Sequence, residues 1–285
     1  PAGVSVADGL GIAAATGRLR TFDFSWDLSN QYTFWSGTIA ALFLFCSYFG
    51  TDQSQVQRYL TARSVDEARH SLLMSAYWKI PLQMLVLVLG VLVFVFYTFN
   101  TPPMLFNKVQ TERMQTGPAA TSYAALQTEF DAAFETRRAA AVRLATARDS
   151  GDATIVSGAE TAMRERDAAV QAIRTKAATL VKETNKDPNF SDTNHIIPTF
   201  ILTRLPVGLI GLLIVAIIMA ATDTIAGELN SLSTATVIDF YRRWVRATGS
   251  DAHYLLVSKI ATGLWGLFAC AVAVWAAQLG SLIEV

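Results

Sequence analysis

Ala220, Asp223, Thr224, Gly227 and Ser231 fall at offsets of zero, three, four, seven and eleven, so on an α-helix they share one face. A hard cation such as sodium is held by oxygens of carboxylates, hydroxyls and backbone carbonyls, and small residues beside them let a second backbone come close. This face offers all of these on an otherwise apolar helix, where an ionisable group is a functional signal. A structural reading competes with it. Ser and Thr hydroxyls often bond only the carbonyls of their own helix, and Asp223 lies about 27 Å along the helix from Leu205, at the depth of a membrane interface. A second polar run, from Gly50 through Thr51, Asp52, Gln53, Ser54, Gln55, Val56 and Gln57 to Arg58, follows an apolar stretch. It either lines a pathway or solvates the inner end of a span. Lys79 has the same two readings, because a lysine just before an apolar helix commonly snorkels to the headgroups.

The elements that carry these residues follow from composition. Of 285 residues, 52% are apolar and 16% charged, and 24 of the charged side chains lie between Lys108 and Asp192. The remainder is membrane-like. A net charge of zero argues against a nucleic-acid surface, and with no Gly-rich phosphate loop or Cys/His metal cluster the sequence argues against soluble enzyme chemistry too. Cys46 and Cys270 lie inside apolar runs and form no disulfide framework. The opening at Pro1 and the ending at Val285 inside an apolar region read as a fragment of a longer protein.

Four stretches are long enough to cross a hydrocarbon core of roughly 30 Å, which takes about 20 helical residues. Span A lies between Asp27 and Asp52. Span B is uncharged from Ile80 to Asn107, span C runs from Leu205 and Pro206 to Asp223, and span D from about Tyr254 to Leu279. Arg58, Arg63, Arg69 and Lys79 follow span A, and Arg242, Arg243, Arg246 and Lys259 join C to D. Both connections are therefore expected in the cytoplasm. The resulting division is an extracytoplasmic lead-in (1–30), spans A and B with their cytoplasmic loop (31–100), an extracytoplasmic segment (101–204), and spans C and D with theirs (205–285).

The outer segment reads as a helical hairpin. Leu126, Phe130, Ala133, Arg137, Ala141 and Leu144 recur at three and four residues, as do Met163, Val170, Ile173, Ala177 and Leu180, and Asp149 to Asp152 supply the turn. Each arm is expected to have about 28 residues, about 42 Å at helical rise. Its charges balance at twelve of each sign, and its apolar stripes can satisfy one another without touching the membrane core. Pro102, Pro103, Pro188 and Pro198 mark its joints. The hairpin is either a docking or sensing arm or an insertion with solvated faces, and the sequence names no protein partner for it.

The string from Tyr48 to Leu60, YFGTDQSQVQRYL, followed by TARSVDEAR and Lys79, resembles the sixth core helix, cytoplasmic loop and seventh helix of the sodium:solute symporter family, which includes sodium/glucose, sodium/iodide, multivitamin and sialic acid transporters. Span C, with ELNSLSTATVIDFYRR from Glu228 to Arg243, resembles the eighth core helix, and span D the ninth. The resemblance covers about 185 residues and omits the hairpin. It implies an all-α integral membrane protein with part of a LeuT-like inverted-repeat fold, whose broken helices surround a site near the midplane. It implies sodium at Ala220, through its carbonyl, and at Asp223 and Thr224, through their side chains. At Asp223 the family usually has Ser, sometimes Thr; a carboxylate adds negative charge and a place for a proton. Asp52 stands where sugar-transporting relatives have a substrate-contacting Asn, and Lys79 where some have a lysine that contacts the sugar, so Asp52, Gln53 and Lys79 are implied to face the substrate or a gate. The implied activity is symport of sodium with a small organic solute (a sugar, sialic acid, carboxylate or vitamin-like molecule) by alternating access across a bacterial inner membrane, with no catalytic residue and no cofactor besides the coupling ion. The alternative is a membrane sensor that uses a transporter-like core and the outer hairpin.

Overall fold

The computed structural model describes residues 4–20, 22–27, 29–30, 33–186 and 190–276. Among them the regular elements are helical: α1 (Val6–Ala15), α2 (Phe34–Gly50), α3 (Gln53–Leu60), α4 (Val65–Phe99), α5 (Lys108–Thr116), α6 (Ala120–Ser150), α7 (Ala153–Asn185), α8 (Ile196–Arg204), α9 (Val207–Ala235) and α10 (Asp251–Ala276), with a 3₁₀ turn at Thr193–His195 and a π-helical segment at Thr236–Val245. Pro188 and the expected end of span D at Leu279 lie outside the described residues.

Three helical stretches are long and apolar enough to cross a membrane: Val65–Phe99, Val207–Val245 and Asp251–Trp275. The fourth expected span is a pair, Phe34–Gly50 and Gln53–Leu60, bent by 53°. The break is local chemistry. Asp52 adopts an extended conformation and its carboxylate accepts from the backbone N–H of Ser54 at 2.9 Å and from the Ser54 hydroxyl at 2.7 Å, starting a new helix. Span B begins earlier than its apolar run, at Val65, and continues through Pro81. Span C also outruns its apolar stretch, since the helix passes Asp223 and Glu228 and widens into the π segment only at Thr236. Arg242 and Arg243, expected in a loop, are therefore helical. A charge marks where hydrocarbon solvation ends, which need not be where backbone hydrogen bonding ends.

The chain divides into two compact units, residues 1–23 with 78–205 and residues 24–77 with 206–285. The first holds the hairpin. Gly151, at φ 71°, occupies the left-handed conformation that closes α6, and Asp152 caps α7 by accepting from the N–H groups of Thr154 and Ile155. The arms, of 31 and 33 residues, are longer than expected. Their facing stripes are the ones the periodicity marks: Phe130, Arg137, Ala141 and Leu144 are buried against the face that carries Met163, Val170, Ile173 and Ala177.

The hairpin is not closed on itself, contrary to expectation. Ile12 and Ala15 of α1 and Phe99 of α4 share a core with Ala140, Ala141, Leu144 and Met163. Arg164 donates to the carbonyl of Ala15 at 2.8 Å, finishing α1, and the Arg148 guanidinium lies against Gly11, where a Cβ would stand 2.4 Å from its central carbon, so any larger residue there would make Arg148 move aside. Two equal helices leave a groove where they meet the membrane end. Apolar side chains of α1 and α4 fill it, each fully buried one contributing about 1.5–3 kcal/mol before entropy. At the base, Asp192 accepts from the backbone N–H of Phe106 (2.9 Å) and Asn107 (3.0 Å) and pairs with Arg174 at 2.9 Å, tying the returning strand of chain to the departing one.

In the second unit α9 lies along α10. Ser233, fully buried, donates to the carbonyl of Ser258 at 2.8 Å, and the Trp265 indole donates to Thr236 at 3.0 Å. Hydrogen bonds and small residues hold these helices together, as apolar side chains gain little by meeting one another in lipid. Leu212, Ile217, Ile218, Leu264 and Leu267 point outward instead.

Candidate functional site

The polar face of α9 meets α3. Helix α3 can approach because position 227 is glycine: a Cβ there would lie 3.3 Å from the Arg58 guanidinium. Across this contact Gln57 donates to the Ser231 hydroxyl at 3.1 Å, the Asn230 amide reaches Gln57 at 3.5 Å, and Arg58 pairs with Asp223 at 3.9 Å. Ser231 is buried and donates to the carbonyl of Gly227 at 2.9 Å.

Thr224 donates to the carbonyl of Ala220 at 3.0 Å. This is the hydroxyl-to-own-helix bond of the structural reading, and it also sets two oxygens side by side. Oxygens around a hard divalent cation such as calcium stand at about 2.3–2.6 Å, so two of them 3.0 Å apart can touch a single ion of similar size. Asp223, one residue back, is 80% exposed at its side chain, and Arg58 is 52% exposed. In this arrangement the carboxylate faces a cation supplied by the protein itself. Among the described residues no group of three or more His, Cys, Asp or Glu could hold a metal.

The structure places the remaining expected residues in two regions. Asp52 and Gln53 stand at the bend that starts α3, one turn before Gln57, with Asp52 half-buried and engaged with Ser54. Lys79 is exposed on α4, two residues before Pro81, and belongs to the other compact unit. Gln57 and Arg58 are the partners that a reading of the sequence missed. Their placement in a polar run was visible, but Arg58 was a marker of the cytoplasmic side rather than a partner for a carboxylate 165 positions later.

No family model and no solved structure matches the chain. Curated relatives do. The chain is 36% identical over 84 residues to the sodium/sialic acid symporter SiaT of Proteus mirabilis, which covers 30% of this chain and 17% of that protein. It is 30% identical over 100 residues to the human sodium/iodide cotransporter, 35% of this chain and 15% of the relative. It is 39% identical over 56 residues to the human sodium-coupled monocarboxylate transporter 1, 20% of this chain and 9% of the relative. The matched parts thus span less than a fifth of each relative. These relatives are transporters rather than enzymes, and together with at least three membrane-length apolar helices they mark a multi-pass membrane protein. Over these segments the chain is similar to members of the sodium:solute symporter family.

Proposed function

We propose that the chain is part of a sodium-coupled symporter that takes up a small organic solute by alternating access in a LeuT-like inverted-repeat fold. The observation that carries this reading is the pair of oxygens on α9, the Thr224 hydroxyl and the Ala220 carbonyl 3.0 Å apart, with the Asp223 carboxylate beside them. Sodium is here a transported substrate. Its entry supplies the work: one charge crossing 100 mV releases roughly 2.3 kcal/mol, and a tenfold gradient adds about 1.4 kcal/mol.

Asp223, Thr224 and the Ala220 carbonyl hold the ion, and Arg58 occupies the carboxylate when sodium is absent, so that ion binding and movement of α3 relative to α9 are coupled. Asp52 and Gln53, at the bend, and Lys79 face the solute or the inner gate; a bend between two short helices is where a gate hinges with little cost to hydrogen bonding. The solute is a sugar, sialic acid, carboxylate or vitamin-like molecule. Residues 101–204 stand outside a bacterial inner membrane, and the A–B and C–D connections inside.

Packing of Phe99, at the end of α4, into the hairpin core favours a second reading, in which the hairpin senses an external ligand and the spans relay it. Solute uptake by the full-length protein, driven by an imposed sodium gradient and lost in Thr224→Ala, supports symport; a protein that binds sodium but moves no solute under any gradient supports the sensor.

A further inference from the structure

The hairpin unit forms a half-open cleft of about 550 Å³, within the range of roughly 300–1,000 Å³ typical of small-ligand sites. Arg18, Arg137, Arg174 and Lys182 line it. Asp167 offsets two of these cations, pairing with Arg137 at 3.2 Å and Arg18 at 3.5 Å, and Asp192 offsets Arg174. Four positive charges against two negative ones leave an excess of two. Arg137 is 4% exposed, and its Nε, among the described residues, has no hydrogen-bond partner although its other nitrogens bond Asp167 and the carbonyl of Tyr97. Lys182 has no acidic partner among the described residues. Arg137 is nearly fully buried while Arg18 is 43% exposed, so an anion entering the cleft would meet two uncompensated cations that it can reach.

Part of the lining is apolar. Gly90, Val93 and Phe94 belong to the membrane-spanning α4, and Ile196 and Ile197 to the turn that opens α8. Arg18 stacks 4.6 Å above the Phe94 ring and Arg174 4.9 Å above Phe106, holding the guanidinium planes against aromatic side chains of the lining. Guanidinium forks match phosphate oxygens, and the apolar part of the lining runs down the span as an acyl chain would.

We infer that this cavity binds a phosphate group, and that its source is the headgroup of an anionic membrane phospholipid whose acyl chain lies along Gly90, Val93 and Phe94 of α4. The site is separate from the α9 face and does not depend on what the protein transports.

The test uses the purified full-length protein in a neutral detergent and native mass spectrometry with phosphatidylglycerol or phosphatidylcholine added at equal concentration, alongside thermal melting with inorganic phosphate. Wild type should retain phosphatidylglycerol preferentially. Lys182→Gln and Arg18→Gln should each weaken retention by about fivefold, while Lys176→Gln, on the same helix but paired with Glu129 and outside the cavity, should not change it. Lys182→Gln alters a half-buried, unpaired side chain, so it keeps the test usable should Arg18→Gln fail to fold. Protection by inorganic phosphate that Lys182→Gln abolishes, without lipid preference, would retain the phosphate site and assign it a soluble ligand. Equal loss in Lys182→Gln and Lys176→Gln, or no preference for either phosphate source in wild type, overturns the inference.

Discussion

Replacing Arg58 tests whether the Asp223 carboxylate belongs to the ion or to the protein. The pair is 3.9 Å apart. Two unit charges at that distance attract by about 1 kcal/mol in bulk water and about 4 kcal/mol at an effective dielectric of 20. With the side chains 52% and 80% exposed the lower figure governs, and exposed pairs measure about 0.2–1 kcal/mol. Arg58→Gln therefore releases the carboxylate by no more than about 1 kcal/mol, and sodium should bind up to about fivefold more tightly. Asp223→Ala removes the charge and both oxygens, and by analogy with hydrogen bonds to charged groups it costs about 1.5–3 kcal/mol, which is about 10- to 150-fold in affinity. Thr224→Ala removes one neutral oxygen, about 0.5–1.5 kcal/mol, or about two- to twelvefold. Asp223→Ser, which restores the usual family residue, should fall between wild type and Asp223→Ala. Sodium titration of the full-length protein, followed by tryptophan fluorescence at constant ionic strength with potassium as the replacement ion, gives the order directly. Asp223→Ala and Thr224→Ala titrating like wild type would refute the site. Arg58→Gln binding sodium more weakly than wild type would refute the competition.

Four further outcomes test the frame around the site. Cysteines at Ser150 and Ser250, both exposed, should respond oppositely to an impermeant thiol reagent in intact cells, with Ser150 labelled and Ser250 protected; the reverse inverts the topology. Arg137→Leu should lower stability by about 3–5 kcal/mol, because Asp167, 6% exposed, then keeps only Arg18 as a partner, whereas Arg137→Leu with Asp167→Leu should recover most of the loss in thermal melts. Burial pushes the Tyr123 phenol above its usual range, opposed by its hydrogen bond with Thr111, so its contribution is complete below pH 10 and is lost as pH rises beyond; Tyr123→Phe should flatten the alkaline fall in melting temperature. Replacing residues 110–186 with a Gly/Ser linker should lower the melting temperature of the full-length protein, since Ile12, Ala15 and Phe99 lose the core they share; an unchanged melt would mean that the hairpin's contacts with α1 and α4 carry no stability.

The hairpin could be read from the sequence because its partners are its own two stripes. Phe130, Arg137, Leu144 and Met163, Val170, Ala177 repeat at helical spacing, and a turn of Asp149, Ser150, Gly151 and Asp152 fixes which stripe faces which. Its third layer could not be read. Helix α1 has only ten residues, and the groove it enters is formed some 130 positions later, so nothing local distinguishes Ile12 from any other apolar residue near a terminus. Arg137 shows the same limit. Its place on the stripe was visible, but not that it would be buried there with Asp167, 30 positions on, and the carbonyl of Tyr97.

On the polar face of α9 the sequence held the residue types, and contact between helices decided their states. Asp223, Thr224 and Ala220 lie on one face by spacing alone, and the 3.0 Å contact between the Thr224 hydroxyl and the Ala220 carbonyl follows from helix geometry. What Asp223 does depends on Arg58, and whether Arg58 arrives depends on the turn at Asp52. A straight span would have carried α3 onward along the axis of α2; the Asp52 cap bends it by 53°, and Gly227 leaves the space into which Arg58 fits. Two features of ordinary backbone chemistry, a cap and a missing Cβ, thus accompany the placement of the Arg58 guanidinium beside the Asp223 carboxylate. An uncompensated Asp on a membrane helix is costly. The neighbouring Arg58, 3.9 Å away, lowers that cost, and on the proposed reading sodium would displace it.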